Sequence, residues 1–465
     1  MRKIVLFIII SICFFNLCYA DNISLISGTW NRKTKDVKLF KVENGSLKEI
    51  ASYQLAKDNK FYFAFKDQRE AFYVIGSSLR SSSNNYTFYF KPGDHLNVEI
   101  NKDSYKLIGE NTPENMEMEK WHEFLLPLER KSIYFMGSGS TYVDFFPLLE
   151  EKLDAVNSYK VDYNTNQTFN ESFKDYRKFS MLHYALNHII TPRSAHPQGE
   201  DFPDYYRTVN LSDITSSESL LQYPYGITIV NAYNLIAPKV LADKYTAEQL
   251  KEMRTPLTVL NVLLPEITNS EIKGELVLWQ SHYLKSYEEF LDFEQKYGKY
   301  LITEDQKDRF KDTIKAVASL AQGQEVVNLK FPDINGKDVA MSDLRGKIVY
   351  IDIWATWCGP CIKEIPALKK LEEEYQKQDI VFLGINTDVS KDIQKWKDFI
   401  KNRNLKGVQV FAGDNAKKDL LDIYKIAGIP RFMLIGKDGK IISADAPRPS
   451  SPEIRPLLDA SLRKK

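Results

Sequence analysis

From Asn22 to about Thr112, apolar and polar residues alternate in short runs, among them Phe61-Tyr62-Phe63-Ala64-Phe65, Ala71 to Ile75, Tyr86 to Phe90 and Leu96-Asn97-Val98-Glu99-Ile100. A period of two sends successive side chains to opposite faces, so these runs predict β-strands. Asn44-Gly45, Ser81 to Asn85 and Pro92-Gly93-Asp94 separate them with residue types that tolerate or pre-set turn dihedrals. The expectation is a small antiparallel β domain over residues 21–113. Its one histidine, His95, has no partner group suited to catalysis nearby in sequence, which favours a binding or spacer module.

Past Pro113 the period lengthens. Trp121, Phe124, Leu125 and Leu128 stand at helical spacing, and Phe173, Tyr176, Phe179, Leu182, Leu186 and Ile189 hold it for several turns. Residues 114–322 therefore read as mostly helical, and the aromatic stripes read as core. Thr303 followed by Gln306 forms a capping box that opens a final helix through Phe310, Ile314 and Val317, with Gly323 as its expected stop. His122, His183, His188, His196 and His282 fall in this region. His183 and His188 are five apart rather than four and no His-Glu-x-x-His pattern occurs, so they read as ordinary surface or core residues and no metal is expected.

In the last third the pattern changes again. Ile348 to Trp354 is a short apolar run that fits a buried parallel strand, Ile362, Ile365, Leu368, Leu371 and Tyr375 mark a helix, and Ile380 to Ile385 returns as a strand. Residues 323–465 thus predict an α/β domain with a strand-to-helix junction at Ala355 to Cys361.

The first twenty residues stand apart. Met1-Arg2-Lys3 precedes an apolar stretch to Leu17, and Ala20 and Cys18 are small residues at the last and third-last positions before Asp21, the pattern of a secretory signal peptide over residues 1–20. An uncleaved anchor, or a lipoprotein acylated at Cys18, is an alternative; the run is short for a span, and Leu17 is large for lipoprotein processing. Lys and Arg number 63 against 62 Asp and Glu, so no broad field favours nucleic acid, and loss of Arg2 and Lys3 with a signal would only move the net charge from +1 to −1. Beyond residue 20 no apolar run reaches spanning length, so no stable membrane span is expected after signal removal.

The cysteines carry the chemistry. Cys13 and Cys18 would leave with the signal, and an exported chain would keep Cys358 and Cys361 in a compartment that oxidises thiols. A Cys-x-x-Cys at a helix start places the first thiol where unpaired amides and the helix dipole stabilise a thiolate, lowering it from ~8.5 toward ~7. Cys361, one turn on, is placed to attack a mixed disulfide formed on Cys358. Gly359 and Pro360 keep the link short, and proline is tolerated in a first helical turn. A zinc site would need about four ligands where this domain has two cysteines and no histidine, and a purely structural disulfide closing so short a loop would stabilise little. Redox chemistry is the better reading, with the Cys358–Cys361 disulfide itself as redox centre and no separate cofactor.

Trp357-Cys358-Gly359-Pro360-Cys361 is the thioredoxin active-site sequence. Together with Phe331-Pro332-Asp333, Ser342-Asp343-Leu344-Arg345-Gly346-Lys347 and Trp354-Ala355-Thr356-Trp357, it resembles the TlpA and ResA type of exported thiol-disulfide oxidoreductase over residues 323–465. That resemblance implies a thioredoxin-like fold. It also implies catalytic roles for Cys358, Cys361 and Glu364, the last in Glu364-Ile365-Pro366, and substrate binding at Trp357, Gly359, Pro360 and a cis-proline loop, Gly428-Ile429-Pro430. Asp352 occupies the place of thioredoxin's buried aspartate, where the TlpA type often has a neutral residue; it is either a base for Cys361 or a hydrogen-bonded core aspartate. Phe90-Lys91-Pro92-Gly93-Asp94 and Gly109 to Asn115 resemble an uncharacterised N-terminal domain fused to TlpA-like reductases in Gram-negative envelopes.

The implied function is reduction of disulfides in envelope or periplasmic proteins, recharged by a membrane thiol donor. Two alternatives remain. One is a thiol peroxidase on the same fold, although Ala355 and Ile351 stand where its motif has threonine and proline. The other is a binding or assembly module over the first 320 or so residues that the thioredoxin-like domain serves.

Overall fold

The computed structural model describes residues 22–66, 69–79, 82–133, 138–162, 165–426 and 428–463, without the side chains of residues 415 and 416. The expected signal peptide, with Cys13 and Cys18, lies outside the described residues. Two compact units make up the chain, residues 1–276 and 277–465.

In the first unit, β1 (Ile23–Trp30), β2 (Asp36–Glu43), β3 (Ser46–Gln54), β4 (Lys60–Lys66), β5 (Ala71–Gly76), β6 (Tyr86–Phe90), β7 (His95–Ile100) and β8 (Tyr105–Leu107) form two sheets. Their orders are β4-β1-β7-β8 and β3-β2-β5-β6. Ile26, Trp30 and Val98 from one sheet and Val37, Leu39 and Phe88 from the other share a single core, so the alternation in the sequence is the inward and outward faces of a sandwich. Pairing is antiparallel except between β1 and β7, which run parallel. A parallel pair needs a long connection, and the intervening strands β2 to β6 supply it. Asn44 and Gly45 join β2 to β3 with φ of 52° and 71°, the left-handed pair that a two-residue hairpin requires and that asparagine and glycine adopt most readily.

The helical period past Pro113 produces α1 (Pro113–Ile133), α2 (Tyr142–Val156), α3 (Gln167–Ile190) and α4 (Gly226–Val240), with shorter helical segments between. The apolar stripes of α1 and α3 are buried, and the Trp121 indole donates to Ser180 Oγ across them at 3.0 Å. The Asn115 side chain accepts from Tyr89 N–H and donates to Tyr89 C=O, at 2.9 and 2.8 Å, which ties α1 to β6 within this unit. His183 and His188 are core residues held down to about 3 by burial, and His188 stacks on Phe145 with ring centroids 3.8 Å apart. Among the described residues no group of three or more His, Cys, Asp or Glu is placed to hold a metal ion, and no helix is long and apolar enough to cross a membrane.

The second unit includes α5 (Tyr287–Tyr297) and α6 (Glu304–Ala318), packed through Phe290 and Phe310 at 5.2 Å. The capping box forms: Thr303 Oγ1 accepts from Gln306 N and the Gln306 side chain accepts from Thr303 N. α6 stops at Ala318, however, short of Gly323. Gly323 (φ 88°) instead turns the chain so that its N–H donates to Ile441 C=O, and Ile441 N–H returns to Gln324 C=O.

After a small hairpin, β9 (Lys330–Pro332) and β10 (Asp338–Ala340), the chain runs β11 (Ile348–Trp354), α7 (Gly359–Tyr375), β12 (Ile380–Asn386), α8 (Ile393–Arg403), β13 (Val408–Phe411), α9 (Gly413–Ile423), β14 (Arg431–Ile435), β15 (Ile441–Ser443) and α10 (Ile454–Arg463). The sheet order is β13-β12-β11-β14-β15, with β11 parallel to β12 and antiparallel to β14. Every residue of β11 is buried because both sheet faces are covered. Val349, Ile351 and Ile353 face Phe331, Met341 and Leu420, whereas Ile348 and Tyr350 face Leu371 and Tyr375 of α7.

Trp396 on α8 is fully buried beside Phe411, in the cluster that also holds Trp354, Cys358 and Cys361. Trp396→Ala should destabilise this unit by about 3–5 kcal/mol through lost burial and a residual cavity, read as a fall in the denaturant midpoint.

Candidate active site

Side-chain parity along β11 determines what reaches the helix layer. Asp352 and Trp354 share the face of Tyr350, so the strand delivers a carboxyl group and an indole beneath α7. The chain then leaves the sheet through Ala355, Thr356 and Trp357. Three residues at the carboxyl end of β12 and just past it hold this turn. Thr387 donates its N–H and its hydroxyl to Trp354 C=O, at 2.9 and 3.1 Å. The buried Asp388 carboxylate accepts from Thr356 N–H at 3.2 and 3.3 Å, and Asn386 Oδ1 accepts from Asp388 N–H at 2.9 Å.

Cys358 is the N-cap of α7 and Pro360 lies in its first turn. Cys358 N–H donates to Ala355 C=O, and its Sγ accepts from Cys361 N–H at 3.2 Å, so the sulfur occupies the position where the helix presents unpaired amides and the positive end of its dipole. Cys358 and Cys361 are joined as a disulfide, with Cα atoms 5.3 Å apart. The two cysteines are 3% and 4% exposed, whereas the adjoining Trp357 is 63% exposed. A buried bond thus lies beside a protruding aromatic surface.

The Ile429–Pro430 peptide is cis. Ile429 packs against the cluster of Cys358, Cys361, Trp354 and Trp396, which brings this loop to the disulfide although some seventy residues separate them in sequence. Ile429 and Pro430 are half-buried, and Gly359 and Gly428 are exposed.

Three carboxyl groups, one from β11 and two from α7 itself, lie on the buried side of α7. Asp352 is buried and its Oδ1 has no hydrogen-bond partner. Burial pushes it up to about 8, with Glu364 and Glu372 adding like-charge repulsion. Glu364 and Glu372 are on the buried side of α7 that also carries Cys361. Glu364 accepts from Ser450 N–H at 3.1 Å and Ser450 Oγ at 3.0 Å, with Arg448 Nη1 at 3.8 Å. Burial raises Glu372 to about 7.

The sequence reading missed Asp388, Glu372, Ser450 and Arg431. Two of these had a signal. Asn386-Thr387-Asp388 is a polar triplet directly after an apolar strand, at the carboxyl end where α/β folds place their sites, and Glu372 interrupts the apolar face of α7. Ser450 and Arg431 had none, because their partners are remote in sequence.

Comparison with known proteins adds to this geometry. Residues 322–444 match the AhpC/TSA family. The thiol-disulfide oxidoreductase ResA of Bacillus cereus is 32% identical over 120 residues, which is 26% of this chain and 66% of that protein, and ResA of Bacillus subtilis is 31% identical over 124 residues, 27% and 66% respectively. The matched segment therefore spans just under two thirds of these relatives' length. Among solved structures, the thioredoxin domain of a thiol-disulfide oxidoreductase from Bacteroides vulgatus is 28% identical, covering 31% of this chain and all of that one with a TM-score of 0.29. A thiol:disulfide interchange protein from a Bacteroides species is 31% identical, covering 27% and 81%, with a TM-score of 0.26. The resemblance to the ResA type read from the motifs is borne out over the C-terminal region by the family match and the two ResA relatives, and that region is thioredoxin-like.

Proposed function

We propose that this chain, whose residues 322–444 belong to the thioredoxin-like AhpC/TSA family, is an exported protein-disulfide reductase that works through Cys358 and Cys361. The single observation that carries the reading is the disulfide at the N-terminus of α7, buried under the cis-proline loop and flanked by exposed Trp357.

In the reduced form, the Cys358 thiolate attacks one sulfur of a partner's disulfide. A Cys358–partner mixed disulfide forms and the partner's other sulfur leaves as a thiolate. Cys361 then loses its proton and attacks Cys358 Sγ, which forms the Cys358–Cys361 bond and releases the partner's second thiol. Two electrons pass from this chain to the partner. Asp352, beneath the helix face that carries Cys361, is the base assigned to the second step, and a value near the operating pH suits that task. Glu364, whose carboxylate accepts two hydrogen bonds from Ser450, adds like-charge repulsion that raises Asp352 further. Trp357 and the Gly359-Pro360 link present the disulfide, and Ile429 and Pro430 line the path of the bound polypeptide. No cofactor beyond the cysteine pair takes part.

Export places the substrates among disulfide-containing envelope proteins, and a reductant in an oxidising compartment needs a membrane thiol donor to recharge it. The motif's Gly-Pro dipeptide is the thioredoxin one, which favours reduction. The test is the reduction potential of the Cys358–Cys361 pair in the chain from residue 21, equilibrated against dithiothreitol or glutathione and read by thiol alkylation. A value near or below about −250 mV is expected, and one above about −150 mV makes this an oxidant or isomerase and overturns the reading. Stoichiometric consumption of hydrogen peroxide by Cys358 without a disulfide substrate favours the peroxidase instead.

A further inference from the structure

The residue directly after the cis proline is a buried arginine. Arg431 opens β14 opposite Ile353, and its side chain is 3% exposed. Its guanidinium bonds in two directions. Nη1 pairs with Asp445 Oδ1 at 3.2 Å, and Nη2 donates to the Lys285 main-chain carbonyl at 2.6 Å. Lys285 Nζ pairs in turn with Asp445 Oδ2 at 3.1 Å. Lys285 precedes α5 and lies outside the segment that matches the thioredoxin-like family. Its position is determined from the other side as well, because Lys285 N–H donates to Glu289 Oε2 at 2.8 Å and Ser286 Oγ caps α5 by accepting from Glu289 N–H at 3.1 Å.

An ion pair with one buried member is weak evidence for stability, since taking the guanidinium out of water offsets most of the attraction, and an apolar residue would start β14 at lower cost. What an apolar residue cannot do is bond an aspartate and a main-chain carbonyl with one planar group. The fork therefore specifies a geometry: it holds the Lys285–Ser286 stretch against the guanidinium of the residue that follows Pro430, in the loop whose Ile429 touches the cysteine cluster.

We propose that Arg431 is a positioning residue that fixes Lys285–Ser286 beside the cis-proline loop as part of the edge on which a polypeptide substrate is held. The inference rests on the disulfide-exchange reading above and deepens it: part of the substrate edge comes from outside the thioredoxin-like fold, and it serves extended polypeptides rather than small disulfides.

The chain from residue 21 is assayed with insulin as the polypeptide disulfide and with 5,5′-dithiobis(2-nitrobenzoate) as the small one. Arg431→Met should raise KM for insulin about tenfold with kcat within about twofold, and slow the small disulfide by no more than about twofold, the signature of lost ground-state binding. Arg431→Lys keeps the charge without the fork and should fall between. Lys285→Glu, a half-exposed side chain, sets a negative charge against Asp445 without altering the core and should reproduce the KM rise, which decides the matter if Arg431→Met does not fold. Equal losses on both substrates make Arg431 merely structural and overturn the proposal, as does an unchanged insulin KM in a folded Arg431→Met or Lys285→Glu protein. A parent protein that reduces neither substrate takes down the disulfide-exchange reading itself, a result distinct from either of these.

Discussion

Cys358→Ser should abolish disulfide reduction, with a loss of at least about 10³-fold, whereas Cys361→Ser should still react once and then stall. The asymmetry follows from where α7 begins. Cys358 is the N-cap and its sulfur takes the Cys361 amide, so the developing thiolate is stabilised there and not at Cys361, which sits inside the helix. A serine alkoxide is far too basic to replace it at neutral pH. In Cys361→Ser the first attack survives but nothing resolves the product, so the mixed disulfide accumulates. Intact-mass spectrometry after incubation with insulin reads this directly: an adduct on Cys361→Ser and none on Cys358→Ser is the expected pair. An adduct on Cys358→Ser alone would reverse the assignment of the attacking thiol.

Asp352→Asn should make the protein more stable at pH 8 and slower. Burial raises Asp352 to about 8 from an ordinary value of 3.8, with Glu364 and Glu372 contributing. Between those two values the folded chain holds a proton that the unfolded chain releases, so stability falls as pH rises from about 4 to about 8; below that window the penalty is absent and above it the penalty is complete. One proton costs roughly 1.4 kcal/mol per pH unit across the four or so units between those values, and asparagine, which cannot ionise, should therefore gain about 5 kcal/mol at pH 8 and little at pH 4, as read from denaturant midpoints at both pH values. If Asp352 takes the proton from Cys361, the same substitution slows release of the second product about a hundredfold and removes the rise in its rate toward pH 8, while alkylation of Cys358 changes little. A carboxyl group kept where it weakens the fold is the pattern of a site residue. Unchanged release kinetics in Asp352→Asn would leave only the stability effect and end its role as base.

The C-terminal domain was legible because its signals are local. An apolar run, a Cys-x-x-Cys and a helical stripe lie within 28 consecutive residues, from Ile348 to Tyr375, and β11, the disulfide and α7 follow in that order. The sandwich was legible only in part. Period-two runs predict strands, but nothing local says that β1 pairs parallel to β7 or that the strands divide between two sheets, since pairing is decided by which faces can be buried together. The stop of the last helix before the thioredoxin-like domain was misplaced at Gly323 for the same reason: hydrogen bonds to Ile441, over a hundred residues on, override the local helical pattern.

The sequence by itself determined the cysteine pair and its place at a strand-to-helix junction, because each rests on residues a few positions apart, whereas the proline loop was legible only through the family resemblance. Only the tertiary structure decided which groups surround them. Asp388 at the turn before Cys358, Ser450 on Glu364, the carboxyl groups crowding Asp352, and Arg431 reaching back to Lys285 all join positions that are distant in the chain. Such contacts depend on the direction in which each side chain leaves a packed element. That direction is set by burial of the whole surface rather than by any one segment.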